Sequence, residues 1–276
     1  MYKVLDKDII ENEILPHLSR AKRGFETKSC LVEVINSILY KLKTGLQWHM
    51  LPVESLFSDV VLSYKTVYWH FRKWSKNGEW ESSWLHILEK NKSKLDLSVS
   101  SIDGSHTKAL RGGEQVEFQT RKMCKTTNSL YLTDNQGLPI AISSPVSGNH
   151  HDLYEIEERL DELFLTLKSA NINTDGLFVN TDAGFDSRNF RDKCSEYGVI
   201  ANTALNPRNG SDNEYVLFDD ELYEQRYTIE RTNAWIDSYR TLLNRFETLV
   251  DNWKSLNYIA FMIILFKNIN KKQKSR

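Results

Sequence analysis

The chain has 276 residues, of which 40% are hydrophobic and 26% are charged, with only 12 Gly and 5 Pro. This composition is typical of a packed globular protein and excludes the collagenous, disordered and low-complexity classes. The net charge of −1 hides an uneven distribution, because residues 96–253 carry 15 basic against 26 acidic residues, whereas residues 254–276 carry six basic residues and no acidic one. Residues 1–95 are also basic overall, with 15 basic against 11 acidic residues. Charge alone leaves open whether these two basic segments bind a polyanion or the charged residues only cover exposed surfaces.

The apolar runs are too short to cross a membrane. The longest, Tyr258–Phe266, has nine residues, whereas a membrane-spanning helix needs roughly 20. The N-terminal residues alternate charged with apolar side chains, which argues against a signal peptide. Three cysteines without C-x-x-C spacing favour a reducing compartment. We therefore expect a soluble cytoplasmic protein with no membrane partner.

The first part of the chain is predicted to be helical. Apolar residues recur at intervals of three and four, which predicts three helices, over Leu31–Leu46, Tyr64–Trp74 and Trp80–Lys90. Three short helices with exposed cations are typical of a helix-turn-helix module, although most small helical bundles bind no DNA. The cations predicted to contact DNA are Lys65, Arg72 and Lys73.

Strands and helices alternate after residue 96. The predicted strands are Leu97–Ile102, Ser129–Thr133, Leu138–Ser144, Gly176–Thr181 and Val199–Asn202. The predicted helices are His151–Ser169, Ser187–Tyr197 and Leu222–Leu249. This order predicts an α/β fold, a mixed sheet with flanking helices, preceded by a small all-α domain. The predicted division is residues 1–95 and 96–276.

Two acidic residues are predicted to follow the ends of apolar strands. Asp103 comes after Val99–Ile102, and Asp182 comes after Leu177–Thr181. Open α/β sheets bind ligands at the carboxyl ends of their strands, so both positions are candidates for a functional site. For either residue alone, an Asp that merely makes a turn is the simpler interpretation.

A third acidic residue lies on the last predicted helix. Tyr223, Arg226 and Glu230 are spaced at i, i+3 and i+7, which places them on one face. The opposite side carries an apolar stripe suited to packing on a sheet, with Arg231 and Arg240 along the borders. An ion pair between Arg226 and Glu230, worth about 0.2–0.5 kcal/mol, is the simpler interpretation, but it does not explain Tyr223.

These segments together resemble bacterial insertion-sequence transposases of the DDE type, in particular the group named after insertion sequence five. The likeness covers nearly the whole chain. It is carried by SIDGSHTKAL around Asp103, NTDAGFDS around Asp182 and RYTIERTNAWIDSYRTLLNRFE around Glu230. One position departs from the family pattern, because Asp237 stands where the family often has Lys or Arg. Arg240 could supply that basic contact instead.

The resemblance implies a ribonuclease H-like catalytic domain that cuts and joins DNA. Asp103, Asp182 and Glu230 would be the catalytic residues and would bind two Mg²⁺ ions, which Mn²⁺ could replace. Arg226 would hold a phosphate, Tyr223 would stack on a base, and Arg231 and Arg240 would contact DNA. The implied partners are the terminal inverted repeats and the target DNA, bound by a homodimer in the bacterial nucleoid.

Other interpretations remain open at this stage. Asn149-His150-His151-Asp152, with His106 and Asp182, would suit an HD-type metal phosphohydrolase. The alternative is that Asp152 caps the helix that follows. A ribonuclease H-like nuclease without strand transfer, and a DNA-binding derivative without catalysis, are the remaining hypotheses.

Overall fold

The computed structural model describes residues 3–20, 29–209 and 217–274. Its α-helices are α1 Lys7–Ile9, α2 Leu31–Thr44, α3 Val53–Leu56, α4 Tyr64–Lys76, α5 Glu79–Asn91, α6 Ile156–Ser169, α7 Arg188–Glu196, α8 Asp220–Glu224, α9 Thr228–Asp237, α10 Arg240–Leu243 and α11 Val250–Lys274. Its strands are β1 Ser100–Ala109, β2 Glu117–Gln119, β3 Cys124–Thr133, β4 Pro139–Ile142, β5 Val146–Ser147, β6 Phe178–Thr181, β7 Ile200–Thr203 and β8 Asn244–Arg245. No helix in the described ranges is long and apolar enough to cross a membrane.

The chain folds into two compact units. The helical unit comprises Met1–Ile87 and Ile236–Arg276, and the sheet unit comprises Leu88–Trp235. The first division, after residue 87, lies near the predicted one after residue 95. The last 41 residues, however, belong to the helical unit, whereas the sequence placed them with the sheet.

The core of the helical unit is built around α11. From Tyr258 to Ile263 every side chain of this helix is buried, and a helix that is apolar on all sides is stable only when it is enclosed. The ring of Phe261 packs on Trp84 of α5 at 5.5 Å between centroids. Tyr258 donates its hydroxyl to Glu81 Oε1 at 2.8 Å. The two chain segments of the unit therefore share one core.

A buried ion pair also joins these two segments. Lys41 Nζ on α2 lies 3.2 Å from Glu247 Oε1, and both side chains are almost completely enclosed. Trp48 Nε1 donates to the same oxygen at 3.2 Å, and Asn252 Nδ2 donates to the other at 3.1 Å. Burial lowers the pKa of Lys41, although the charge of Glu247 opposes the shift. Removing either partner would leave an uncompensated charge in the core.

The sheet unit contains a mixed sheet, as predicted. Its strand order is β2-β3-β1-β6-β7, with β4 and β5 also paired to β3. Strands β1 and β3 are antiparallel, whereas β1, β6 and β7 are parallel to one another. Helix α6 packs on β4 and α7, and α7 packs on β7. The predicted hairpin is present as β3 and β4, and Ser187 caps α7 by accepting a hydrogen bond from the Phe190 amide.

Two predicted elements differ in extent from the structure, and one helix of the structure was not predicted. The helix predicted over Leu222–Leu249 is divided into α8, a 3₁₀ turn at Gln225–Tyr227, α9 and α10. The helix predicted from His151 begins only at Ile156. Helix α11 was not predicted, because its apolar residues surround the helix axis and show no amphipathic period.

Candidate catalytic site

Asp103 and Asp182 lie at one level of neighbouring parallel strands. Strand β1 pairs with β6 at Ser101 and Asn180. Asp103 lies two residues further along β1, and Asp182 lies two residues after Asn180, directly after the end of β6. Because side chains alternate between the faces of a strand, each aspartate points to the same face as the paired residue before it. Two parallel strands therefore bring the two carboxylates to one part of the sheet; their catalytic role stays a prediction.

The two aspartates are held in different ways. Asp182 follows β6, where its Oδ1 accepts a hydrogen bond from the Gly184 amide at 2.8 Å, so it does make the turn that was considered for it. Asp103 does not end a strand, because β1 continues to Ala109. The prediction that the Asp103-Gly104 dipeptide follows the strand was wrong, since the ladder with β3 continues from Asp103, opposite Tyr131, to Lys108.

Arg226 lies beside both aspartates and partly neutralises them. Burial raises the pKa of Asp103 to about 6; the charge of Arg226 opposes this shift, and the charges of Asp182 and Asp152 add to it. Burial lowers the pKa of Arg226, but a hydrogen bond with Tyr223 and the two aspartates raise it above its ordinary value. Arg226 is thus near the aspartates, and Tyr223 is linked to Arg226; the DNA contacts expected of both residues stay predictions.

Glu230 is not assembled with the aspartates into a metal site. It is exposed on α9, and no group of three or more His, Cys, Asp and Glu side chains within the described ranges is placed to hold a metal ion. The 3₁₀ turn at Gln225–Tyr227 explains why Glu230 does not share a helix face with Tyr223 as predicted. Each of its three residues turns the chain by about 120°, whereas a residue of an α-helix turns it by about 100°. Glu230 is therefore rotated by roughly 60° from the position that it would have in a continuous α-helix.

The helix that carries Glu230 is attached to the β3–β4 turn. Thr232 Oγ1 donates to Gly137 O at 2.6 Å, and Arg231 Nη1 donates to Gln136 O at 3.0 Å. Gly137 has φ +80°, and a β-carbon there would lie 2.8 Å from Thr228 O. Arg231, predicted to contact DNA, thus has a structural partner within the sheet unit.

Asp152 has a position that the sequence did not predict. Helix α6 has Glu155, not Asp152, at its N-cap, so the cap interpretation was wrong. The Asp152 carboxylate lies against Gly104, in the space that a β-carbon would occupy. Asn128 Nδ2 donates to Asp152 Oδ1 at 2.8 Å, and Arg159 Nη1 donates to Asp152 O at 3.0 Å. A third carboxylate is therefore fixed next to Asp103.

A buried arginine, Arg159, also holds Asp152 and Asn128 in position. Arg159 is 2% exposed, and its Nη2 also donates to Asn128 Oδ1 at 3.4 Å. Burial lowers the pKa of Arg159 to about 10, while the charges of Asp152, Glu162 and Glu155 oppose the shift. The signal in the sequence was an arginine within the apolar period of α6, because such a residue must find polar partners in the core.

The two histidines before Asp152 make local contacts. The ring of His150 stacks on Tyr154 at 3.5 Å between centroids, and His151 Nδ1 accepts a hydrogen bond from the Leu153 amide at 3.1 Å. His106 Nδ1 lies 3.3 Å from Thr126 Oγ1. These contacts do not form the metal cluster that an HD-type hydrolase requires.

The cations predicted to bind DNA in the helical unit differ in exposure. Lys65 is exposed on α4, whereas Lys73 Nζ donates to Ser19 O and Arg20 O at 3.3 Å each. Arg72 Nη1 donates to Asn252 Oδ1 at 3.4 Å. Arg240 is exposed at the start of α10. Lys65 and Arg240 are therefore the more accessible of the four.

Two family models match the chain. A model for transposases of the IS4/5 family matches residues 9–84, and the transposase DDE domain model matches residues 94–265. No curated protein is significantly similar to the chain.

Similar folds occur among solved structures. The piggyBac transposase synaptic complex with hairpin DNA has 12% sequence identity, covers 99% of this chain and 77% of that one, and gives a TM-score of 0.52. The Mos1 transposase paired-end complex with the left transposon end has 13% identity, covers 83% of each chain and gives 0.28. The likeness to piggyBac confirms the predicted ribonuclease H-like fold.

Proposed function

Because the chain belongs to the DDE transposase family, we propose that it binds the ends of an insertion sequence, cuts them and joins them to target DNA. The observation that supports this most directly is the placement of Asp103 and Asp182 two residues beyond the paired Ser101 and Asn180 of two parallel strands, beside Arg226. Two carboxylates that neighbouring strands hold close to each other are suited to a cation-dependent phosphoryl transfer.

The donor set suits a hard divalent cation. Asp103 and Asp182 offer only oxygen ligands. The charged form of the Asp103 carboxyl is destabilised first by burial and then by neighbouring carboxylates, and a bound cation would relieve this. Glu230, which in this structure is exposed on α9 and not grouped with the aspartates, is the third proposed ligand. We propose Mg²⁺, with Mn²⁺ able to replace it. When bound, the cations would stabilise the attacking and leaving oxygens of the transfer.

The other side chains of the site have roles that follow from their chemistry. Arg226 offers a planar guanidinium that can bind two oxygens of one phosphate. Its hydrogen bond with Tyr223 orients it towards the aspartates, and the Tyr223 ring can stack on a displaced base. Thr232 and Gly137 hold α9 and thus position Glu230.

The proposed partners are double-stranded DNA with the element's terminal inverted repeats, and target DNA. A homodimer is proposed for the assembly on DNA, because two ends must be joined to one target. Lys65, Arg72, Lys73 and Arg240 are proposed contacts of the helical unit with the ends. The proposed location is the bacterial cytoplasm, in association with the nucleoid.

The proposal is tested by cleavage of a labelled end duplex in Mg²⁺ and in Mn²⁺. We expect Asp103→Ala, Asp182→Ala and Glu230→Gln to abolish cleavage and to retain folding and end binding. The matched controls are His150→Ala and His151→Ala, which should retain most of the cleavage. Wild-type cleavage by any acidic variant would remove that residue from the site.

Three further outcomes separate the alternative functions. Loss of bound metal in a histidine variant would favour an HD-type hydrolase. Cleavage without joined products, when target DNA is supplied, would indicate a nuclease without strand transfer. A wild-type chain that binds ends but never cuts would be a DNA-binding derivative.

A further inference from the structure

The end of β1 and the start of β3 continue beyond the acidic site as a braced three-stranded finger, which we define as residues 108–125. It contains the last residues of β1, a crossing loop, strand β2 and the turn into β3. Strand β2 pairs with β3 from Glu117, opposite Thr126, to Gln119, opposite Cys124. The finger belongs to the same two strands that carry Asp103 and its partner Tyr131.

The finger is positively charged in an otherwise acidic unit. It carries five basic residues against two acidic ones, Glu114 and Glu117, while residues 96–253 as a whole carry 11 more acidic than basic residues. All the basic residues are exposed. They are Lys108, Arg111, Arg121, Lys122 and Lys125.

Most of these cations are available to a ligand. Lys122 Nζ donates to His106 O at 2.7 Å and so ties the β2–β3 turn to β1. The other four basic side chains make no hydrogen bond or ion pair with another residue in the described ranges. Ser147 Oγ also donates to Gln115 Oε1 at 3.1 Å, which braces the crossing loop. The basic side chains thus extend from a loop and strands that are held in place by these two hydrogen bonds.

The pairing register places part of this charge on the face of Asp103. Tyr131 lies opposite Asp103, and Lys125 is six residues before it on β3, so both point to the same face because the side-chain period is two. Phe118, opposite Lys125, also points to this face and is 47% exposed. A cation and an exposed aromatic ring therefore follow Asp103 along one side of the sheet.

The spacing fits a DNA duplex. Six residues of strand span roughly 20 Å, and the bases along a DNA strand are about 3.4 Å apart. Lys125 thus lies about six base pairs from Asp103, if the duplex follows β1 and β3. Fixed cations at such a distance suit phosphates, whereas an acidic protein partner would not account for their alignment with the cleavage site.

We propose that the finger binds the phosphate backbone of the DNA duplex about six base pairs from the bond that is cut. This inference rests on the proposed function, since it takes Asp103 as the position of cleavage. The finger contributes affinity and register on the duplex, and it takes no part in the chemical step. Phe118 contacts the sugar beside the phosphate that Lys125 binds.

The test uses the full chain with Arg121→Gln and Lys125→Gln combined. The matched control is Arg188→Gln with Arg208→Gln, which removes two exposed charges from the same unit. Binding to an end duplex is measured at several salt concentrations. We expect the finger variant to lose roughly tenfold or more in affinity at 100 mM salt and the slope of log K against log salt to decrease by about 1.8, since each lost phosphate contact removes about 0.9. The control should change neither quantity.

Duplex length provides a second measurement. Wild-type affinity should increase when the duplex is extended from about three to about eight base pairs on one side of the cleavage position, and the finger variant should lose this increase. The variant with the charges kept, Arg121→Lys with Lys125→Arg, should behave like wild type and so excludes a folding defect.

The outcomes distinguish a failure of this inference from a failure of the proposed function on which it rests. Unchanged affinity and salt slope in the finger variant, with a wild type that binds and cuts, would overturn the finger alone. An equal loss in the control would also overturn it, because the effect would then be one of net charge. A wild type that neither binds nor cuts DNA would overturn the proposed function itself.

Discussion

The carboxylate of Asp152 fills the space beside Gly104 where any other residue would carry its β-carbon. Asn128 and Arg159 hold the Asp152 residue in this position. Glycine at position 104 is therefore required by a side chain from a distant loop, and not by a turn. The residue next to Asp103 on β1 thus determines how closely a further carboxylate approaches the candidate site.

Gly104→Ala is expected to destabilise the sheet unit by roughly 1–3 kcal/mol, because the new methyl group overlaps the Asp152 carboxylate and the core must adjust. Cleavage should fall with it, since β1 carries Asp103. The double variant with Asp152→Ala should recover part of the lost stability, as residues in contact are not additive. Denaturant unfolding of the single and double variants measures this coupling. Strictly additive losses would contradict the contact.

Gly137→Ala is expected to displace α9. The alanine would have φ near +80° and a β-carbon 2.8 Å from Thr228 O, so the helix that carries Glu230 must shift. Cleavage should decrease strongly, while end binding remains. The matched control is Gly176→Ala, which has φ +76° but no atom within 4 Å of its β-carbon. Both variants should lose roughly 1–2 kcal/mol from the left-handed backbone, but only Gly137→Ala should lose cleavage.

His70 is expected to make the helical unit sensitive to acid. It is 4% exposed, and burial, together with the charge of Lys73, lowers its pKa from 6.5 to about 4. Because the folded state binds the proton less well than the unfolded state, stability is complete above pH 6.5 and is lost as the pH falls towards 4. The loss at pH 5 should be roughly 2 kcal/mol.

The measurement for His70 is the free energy of unfolding between pH 8 and pH 5, for wild type and for His70→Gln. The variant should start from a lower stability and lose less of it on acidification, since glutamine does not titrate. Parallel pH profiles for the two proteins would show that other groups cause the acid sensitivity.

Removal of α11 is expected to unfold the helical unit. A chain that ends after residue 249 loses the partner of Trp84, and the fragment 1–95 alone lacks it as well. Both should show little cooperative unfolding and no specific end binding, although the fragment contains all three predicted helices. Joining residues 236–276 to residues 1–87 by a linker should restore a cooperative transition. Specific binding by the fragment 1–95 would contradict the shared core.

Local patterns predicted those elements whose causes lie close together in the chain. The Ser187 cap and the β3–β4 hairpin depend on neighbouring residues, and both are present. The rule that ligands bind at the carboxyl ends of strands selected both Asp103 and Asp182, but only Asp182 follows a strand, since β1 continues past Asp103 to Ala109. The break at Gln225–Tyr227 and the contact of Asp152 with Gly104 depend on packing between distant segments, which periodicity does not contain. For the same reason, Leu243 and Phe246, two apolar residues of the last predicted helix, are 46% and 41% exposed.

The helical unit is made from two segments that lie far apart in the chain, residues 1–87 and 236–276, which has a consequence for synthesis. A ribosome completes residues 1–87 well before it reaches residue 236, so the first helices leave the tunnel without the partner that encloses Trp84. The proposed end-binding unit can form its core only after residues 236–276 have been synthesised. A chain that terminates before residue 236 would consequently not occupy the ends of the element, and it should not compete in the same cell with molecules that contain both segments.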